Sequence, residues 1–320
     1  MIFTGEIIAR IGAMKQGKIF SNSFIKKWTS VIIQIMNMAL IYEFKNLIQK
    51  MLGKDKEAYY KMLDQVFSRA SKIYDQRILS NFVNVNIRNI EMSILLSYSF
   101  RGCVALEIGQ GTGEESSRYI KATGNRLDAV DVSSGMVDYS RLKMTRLGIE
   151  AMYNALCLPA ADIGNLKKTY DVVYSFNGLI NTEPDLANLK DGLNKITKPG
   201  SVLILSFRNT SCLGENLIRM VSNRPKMGRD RTLASVDVQV AGDSVPSVYY
   251  SMDDAGKFIP ETFRIIGIYG LAVLLPPYLA DIVRSGIVRK IISAAERAIC
   301  FLPFFRTHGD EMLIVARRYA

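Results

Sequence analysis

The chain has 320 residues, 48% of them hydrophobic and 22% charged, a balance that fits a globular protein and excludes a fibrous or low-complexity chain. Its formal charge of +11, from 41 Lys and Arg against 30 Asp and Glu, suits a polyanionic partner, either nucleic acid or the anionic face of a membrane. Cys103, Cys157, Cys212 and Cys300 are scattered without a CxxC pair or neighbouring histidines, which argues against a zinc site or disulfide framework and for a reducing, cytoplasmic setting.

Residues 1–52 read as a helical extension, basic and apolar, with seven Lys or Arg against two acids. Glu6 and Arg10 interrupt the apolar run that a secretion signal needs. Residues 28–44 (WTSVIIQIMNMALIYEF) hold one charge, Glu43, but are broken by Gln34 and Asn37, so the segment is expected as a packed or interfacial helix rather than a span. Residues 53–320 read as the main domain. Helical periodicity runs through 54–80 and 84–98.

From Cys103 the pattern alternates. Strand 103–109, a glycine loop and helix 114–123 are followed by strand 126–132, helix 134–148 and a short strand at 151–155. Strand 170–176, helix 185–196, a Lys-Pro-Gly turn and strand 201–207 complete a core over 101–207. Such alternation predicts a doubly wound, mostly parallel α/β sheet. Residues 208–262 break the rhythm and are expected as an insertion or substrate lid over the carboxyl edge of the sheet. Strand 264–270, helix 279–299 and strand 311–318 close the domain over 263–320.

The chemistry concentrates in LEIGQGTGEES (106–116). Gly109, Gly111 and Gly113 permit a sharp turn and close approach to a ligand, and Asp131 ends the next strand 20 residues after Gly111, where a carboxylate can accept both hydroxyls of a ribose. The ligand is therefore an adenosine derivative. A dinucleotide would place its diphosphate at the start of the next helix, against Glu114 and Glu115, each like-charge pair costing about 4 kcal/mol at ~4 Å. With Glu107 added, the cleft is expected to be acidic and to select a cationic ligand.

These residues resemble the class I S-adenosylmethionine-dependent methyltransferases, in particular the small-molecule, quinone-biosynthesis-like branch. Glu107, Gly109, Gly111 and Gly113 match the family's first motif in order, and Asp131, Ser133, Ser134 and Met136 match the second. Asn154-Ala155-Leu156-Cys157-Leu158-Pro159 stands where the family has an acid that binds the adenine amino group, with Asn154 in the acid's place. YDVVYSFNGLIN with Asn177 and the KPG turn correspond to the fourth and fifth motifs, and FSRASKIYD (67–75) to the lead-in helix. The resemblance covers 67–207 well and 247–320 loosely.

It implies a Rossmann-like fold with a seven-stranded sheet, S-adenosyl-L-methionine as cofactor, and transfer of its methyl group. Glu107, Gly109, Gln110, Gly111, Thr112, Gly113, Asp131, Val132, Met136, Asn154, Ala155, Phe176 and Asn177 are the implied cofactor residues; Tyr74, Asn177 and Tyr250 are candidate substrate contacts. No metal and no catalytic residue is assigned. His308 reads as a surface or capping residue, and Pro276-Pro277-Tyr278 falls outside the position where a similar nitrogen-methylating signature would act. The apolar run 271–278, the 28–44 segment and the positive charge point to a small apolar or lipid-linked acceptor, with possible peripheral contact with a membrane. An RNA methyltransferase and a non-catalytic binding module stay open as alternatives.

Overall fold

A computed structural model describes residues 56–221, 231, 235–240 and 242–319. The expected extension over 1–52, including the 28–44 segment, lies outside the described residues.

Two helices lead into the sheet: α1 (Lys56–Leu79) and α2 (Phe82–Ser97). Asn81 separates them because its side chain caps α2, accepting from the Val83 and Asn84 amides at 2.9 and 3.3 Å. There follow β1 (Ala105–Ile108), α3 (Glu114–Thr123), β2 (Leu127–Asp131), α4 (Ser134–Arg146), β3 (Tyr153–Cys157), β4 (Tyr170–Ser175), α5 (Leu186–Lys195) and β5 (Thr197–Arg208). The sheet closes with β8 (Phe263–Leu271) and β9 (Glu311–Arg318).

The seven strands lie in the order β3-β2-β1-β4-β5-β9-β8, with β9 antiparallel to both neighbours and the remaining pairs parallel. This is the expected doubly wound, mostly parallel sheet. Buried on both faces, the central strands divide their side chains between two cores. Leu313 and Val315 pack with Ile87, Leu95 and Tyr119 on one face. Met312, Ile314 and Ala316 pack with Val130, Leu189 and Phe207 on the other. The order of strands reverses between β1 and β4, which opens a crevice at their carboxyl ends.

The expected insertion contains a short helix, α6 (Leu213–Val221), and a two-stranded hairpin, β6 (Val236–Val240) with β7 (Asp243–Ser247), followed by α7 (Met252–Phe258). The hairpin packs against α1: Val245 joins Tyr59, Leu63 and Val66 in a small core. The expected helix 279–299 is divided into a 3₁₀ turn (Pro277–Ile282) and α8 (Gly286–Ile299). Ser285 accepts from the Val288 amide and starts a new helix, so the earlier segment cannot run through. Among the described residues no helix is long and apolar enough to cross a membrane.

Candidate functional site

The glycine loop turns between β1 and α3. Its first glycine, Gly109, donates to the Val130 carbonyl at 2.7 Å, tying the loop to the end of β2. Gly111 and Gly113 both sit in the left-handed region, at φ +52° and +72°. A Cβ on Gly113 would lie 2.9 Å from Ser140 and Met144 of α4, whereas one on Gly111 would enter open space. Gly113 thus serves helix packing and Gly111 faces the cleft.

Asp131 sits at the end of β2 with both oxygens on backbone amides: Oδ2 accepts from Gly111 and Oδ1 from Ser133, each at 2.8 Å. Burial pushes its carboxyl up to about 6, against the pull of those two N–H groups. Each oxygen keeps a second lone pair for a ligand hydroxyl. Apolar walls come from Val132, Met136, Leu158 and Ala160, and from Phe176 and Leu179 across the cleft. Gln110 lines the same cleft, and its buried Oε1 accepts no hydrogen bond from any described residue.

Of the residues singled out by sequence, Gly109, Gln110, Gly111, Thr112, Asp131, Val132, Met136, Phe176, Asn177 and Tyr74 line one cleft. Five others do not. Glu107 points into the core, accepting from the Ser116 and Tyr174 hydroxyls, and burial pushes its carboxyl up to about 8. Gly113 is turned to α4. Asn154 pairs in register with Asp128 and is exposed, its Nδ2 donating to the Asp128 carboxylate at 3.3 Å, so it lies short of the carboxyl end of β3. Ala155 is buried within that strand, and the cleft takes Leu158 and Ala160 in their stead. Tyr250 is buried against Phe207, ring centroids 5.8 Å apart. His308 stacks on Phe304 outside the cleft.

The charges are arranged differently from the sequence reading. Glu115 lines the cleft but is paired with Arg88 of α2, both side chains about 5% exposed or less. Glu114 is turned to Lys143, at 3.0 Å, outside the lining. Arg88 and Arg208 line the cleft beside Asp131 and Glu183, so its walls carry both signs rather than a plain acidic surface. Burial pushes the Glu183 carboxyl up to about 7. Each carboxylate at the start of α3 is thus held by a cation, Glu115 by Arg88 and Glu114 by Lys143.

Sequence reasoning missed Arg88, Glu183 and Arg208. A signal for Arg88 existed: in FVNVNIRNIEMSILLS it shares the buried side of α2 with Ile87, Ile90 and Glu91, where a charge needs a buried partner. Among the described residues no group of three or more His, Cys, Asp or Glu side chains is placed to hold a metal ion.

Residues 105–200 match the methyltransferase domain family. The chain is 28% identical over 158 residues to a ubiquinone/menaquinone biosynthesis C-methyltransferase of Haemophilus ducreyi, covering 48% of this chain and 60% of that protein. It is 26% identical over 164 residues to a malonyl-[acyl-carrier protein] O-methyltransferase of Yersinia pestis, covering 51% and 55%. The match therefore spans little more than half the length of either relative. Two solved structures share the fold. One is an S-adenosylmethionine-dependent methyltransferase from Clostridium acetobutylicum, at 12% identity and TM-score 0.51 over 78% of this chain and 97% of that one. The other is a Haloferax volcanii complex of the Trm112 activator with a putative methyltransferase, at 14% identity and TM-score 0.52 over 80% and 97%.

Proposed function

From the premise that this chain carries a class I S-adenosylmethionine-dependent methyltransferase domain, we propose that it transfers the sulfonium methyl of that cofactor to a small acceptor with an apolar or lipid-linked body. The observation that carries this reading is the cradle made by Gly111 and Asp131: an open left-handed glycine facing a carboxylate that still has lone pairs for a ribose diol. The other residues fit the same ligand. Val132, Met136, Leu158 and Ala160 offer apolar surface to an adenine, and Gln110 Oε1, with no partner among the described residues, can accept from a ligand donor.

The cofactor supplies an electrophilic methyl on an already activated leaving group. The chain's own task is to hold donor and acceptor in line and keep water out. Phe176, Leu179 and the hairpin residues Val238, Val240 and Val245 wall the cleft for that purpose.

An acceptor presented at an anionic lipid surface is supported by α8. Ile287 and Ile291 are 73% and 62% exposed, and Arg284 and Lys290, three residues before Ile287 and three after it, are exposed as well. This pattern suits a helix lying at an interface.

Calorimetry with S-adenosylmethionine tests the cofactor: heat with a saturable isotherm is expected, and none at millimolar ligand would leave only a scaffold. Metabolite profiling of a deletion strain is expected to show a species lighter by one methyl. Flotation with anionic vesicles is expected, whereas salt-sensitive retention of tRNA without flotation would favour an RNA acceptor.

A further inference from the structure

A second cavity adjoins the cleft, and Tyr74, Arg208, Val238 and Val240 belong to the walls of both. Its rim is open and mixed, with Ile73 51% exposed and Arg77 and Gln239 exposed beside it. Glu311, at the start of β9, is a buried charged wall of the cavity, 6% exposed, as is its neighbour Asp310. Glu311 stands opposite Arg208 in the β5–β9 register, and its Oε2 accepts no hydrogen bond from any described residue. A carboxylate buried to this degree with an open acceptor site costs stability unless something uses it.

We propose that this second cavity holds the methyl acceptor, that the acceptor is an uncharged hydroxyl compound on an apolar body, and that Glu311 takes the hydroxyl proton while Arg208 steadies the oxygen. The proposal rests on the methyltransferase reading above. An acceptor carboxylate would meet Glu311 as a like charge, and an ammonium would meet Arg208. A hydroxyl donates to the first and, as it becomes an oxyanion, is drawn to the second. The acceptor oxygen bonds to the methyl carbon as the sulfur–methyl bond breaks. That bond's electron pair stays on sulfur and neutralises the sulfonium. The hydroxyl proton passes to Glu311 and from there to water.

The surroundings of Glu311 suit a group that gains and loses a proton near neutrality. Burial pushes its carboxyl up to about 7, with Arg208 pulling it down and Asp310 raising it. Arg88 and Arg231 also face it; Arg231 is ion-paired with Asp310 and Glu215. From α2, Glu91 faces it as well, fully buried, with the Asn177 backbone amide as a neighbour that pulls its carboxyl down. Burial and the nearness of Glu311 push the Glu91 carboxyl well up.

2-Naphthol is the probe. Its fluorescence reports binding in the presence of S-adenosylhomocysteine, and with S-adenosylmethionine its product is 2-methoxynaphthalene. The wild-type protein is expected to bind it saturably and to methylate it at a rate that rises with pH through about 7. Glu311→Gln is expected to lower that rate about 100-fold and flatten its pH profile, while binding of 2-naphthol and of S-adenosylhomocysteine stays within about twofold. Glu311→Asp is expected to restore part of the rate and the pH dependence. Ile73→Trp, at the exposed rim, is expected to weaken 2-naphthol binding about tenfold or more and leave S-adenosylhomocysteine untouched; it decides the location of the site even if Glu311→Gln fails to fold. A Glu311→Gln protein with the wild-type rate and pH profile would overturn the role of Glu311. A wild-type protein that binds S-adenosylhomocysteine but not 2-naphthol would overturn the acceptor class. One that binds neither would overturn the methyltransferase reading, and the proposal with it.

Discussion

The Gly111 amide donates to Asp131 Oδ2 at 2.8 Å, so the carboxylate that faces the cleft also fixes the loop that forms it. Asp131→Ala removes both functions. Losing a charged acceptor for the ribose is expected to weaken S-adenosylmethionine binding by about 1–3 kcal/mol, roughly 5- to 150-fold. Asp131→Asn keeps one oxygen and is expected to fall between. Calorimetry reads both, and an unchanged dissociation constant for the alanine variant would remove Asp131 from the site.

Gly111→Val tests the loop itself. The position has φ +52° and open space where a Cβ would go, so no protein atom resists the added Cβ. The left-handed backbone imposes a cost of about 1–2 kcal/mol on any residue with a Cβ. The variant is expected to fold, melt somewhat below the wild type, and bind no S-adenosylmethionine, because valine fills the ligand's space. Circular dichroism with calorimetry separates the two effects; wild-type affinity would refute the loop assignment.

What the sequence made legible is local. The glycine loop, Asp131 and the Ser133 cap lie within one β-α-β unit, and alternation with a 20-residue spacing suffices to find them. Asn154 shows where this fails. Motif matching put it in the cleft, but β3 pairs with β2 so that Asn154 meets Asp128, and the strand's carboxyl end brings Leu158 forward. Arg88 and Glu115 are 27 residues apart, and only the packing of α2 on α3 joins them. Glu311 and Arg208 meet through an antiparallel strand register, which no local pattern encodes. The apolar period of 279–299 survives the break at Ser285, so periodicity alone predicts one continuous helix there.

Buried carboxylates set the pH dependence of stability. Glu107 rises from 4.5 to about 8, Glu311 to about 7 and Asp131 from 3.8 to about 6, in each case chiefly through burial. A carboxyl whose pKa is raised on folding favours the fold while protonated. That contribution is complete below the unfolded value and is lost as pH climbs through the folded one. The ligand-free protein is therefore expected to melt at progressively lower temperature between about pH 5 and pH 8. Glu107→Gln keeps a group of the same shape beside Ser116 and Tyr174 without the charge. It is expected to flatten part of that decline and to exceed the wild type at pH 8. A melting temperature that rises from pH 5 to pH 8 would contradict the burial of these groups.

The Arg88–Glu115 pair joins the lead-in helix α2 to the helix that carries the glycine loop, with both side chains almost wholly out of water. Removing one partner strands the other as a buried charge, which costs about 3–5 kcal/mol, whereas replacing both by apolar groups of similar volume is close to neutral. Arg88→Met alone and Glu115→Leu alone are thus each expected to lower the unfolding free energy by that amount, and the double variant to recover most of it. Glu115 also lines the cleft, so cofactor affinity need not follow stability. Because the doubly apolar cleft lacks both charges, the double variant separates the contributions: its fold returns while its affinity for S-adenosylmethionine reports what the paired charges do for the ligand. Denaturant unfolding of the three variants gives the stability cycle. Additive losses in the double variant would show that the two side chains do not face each other in solution.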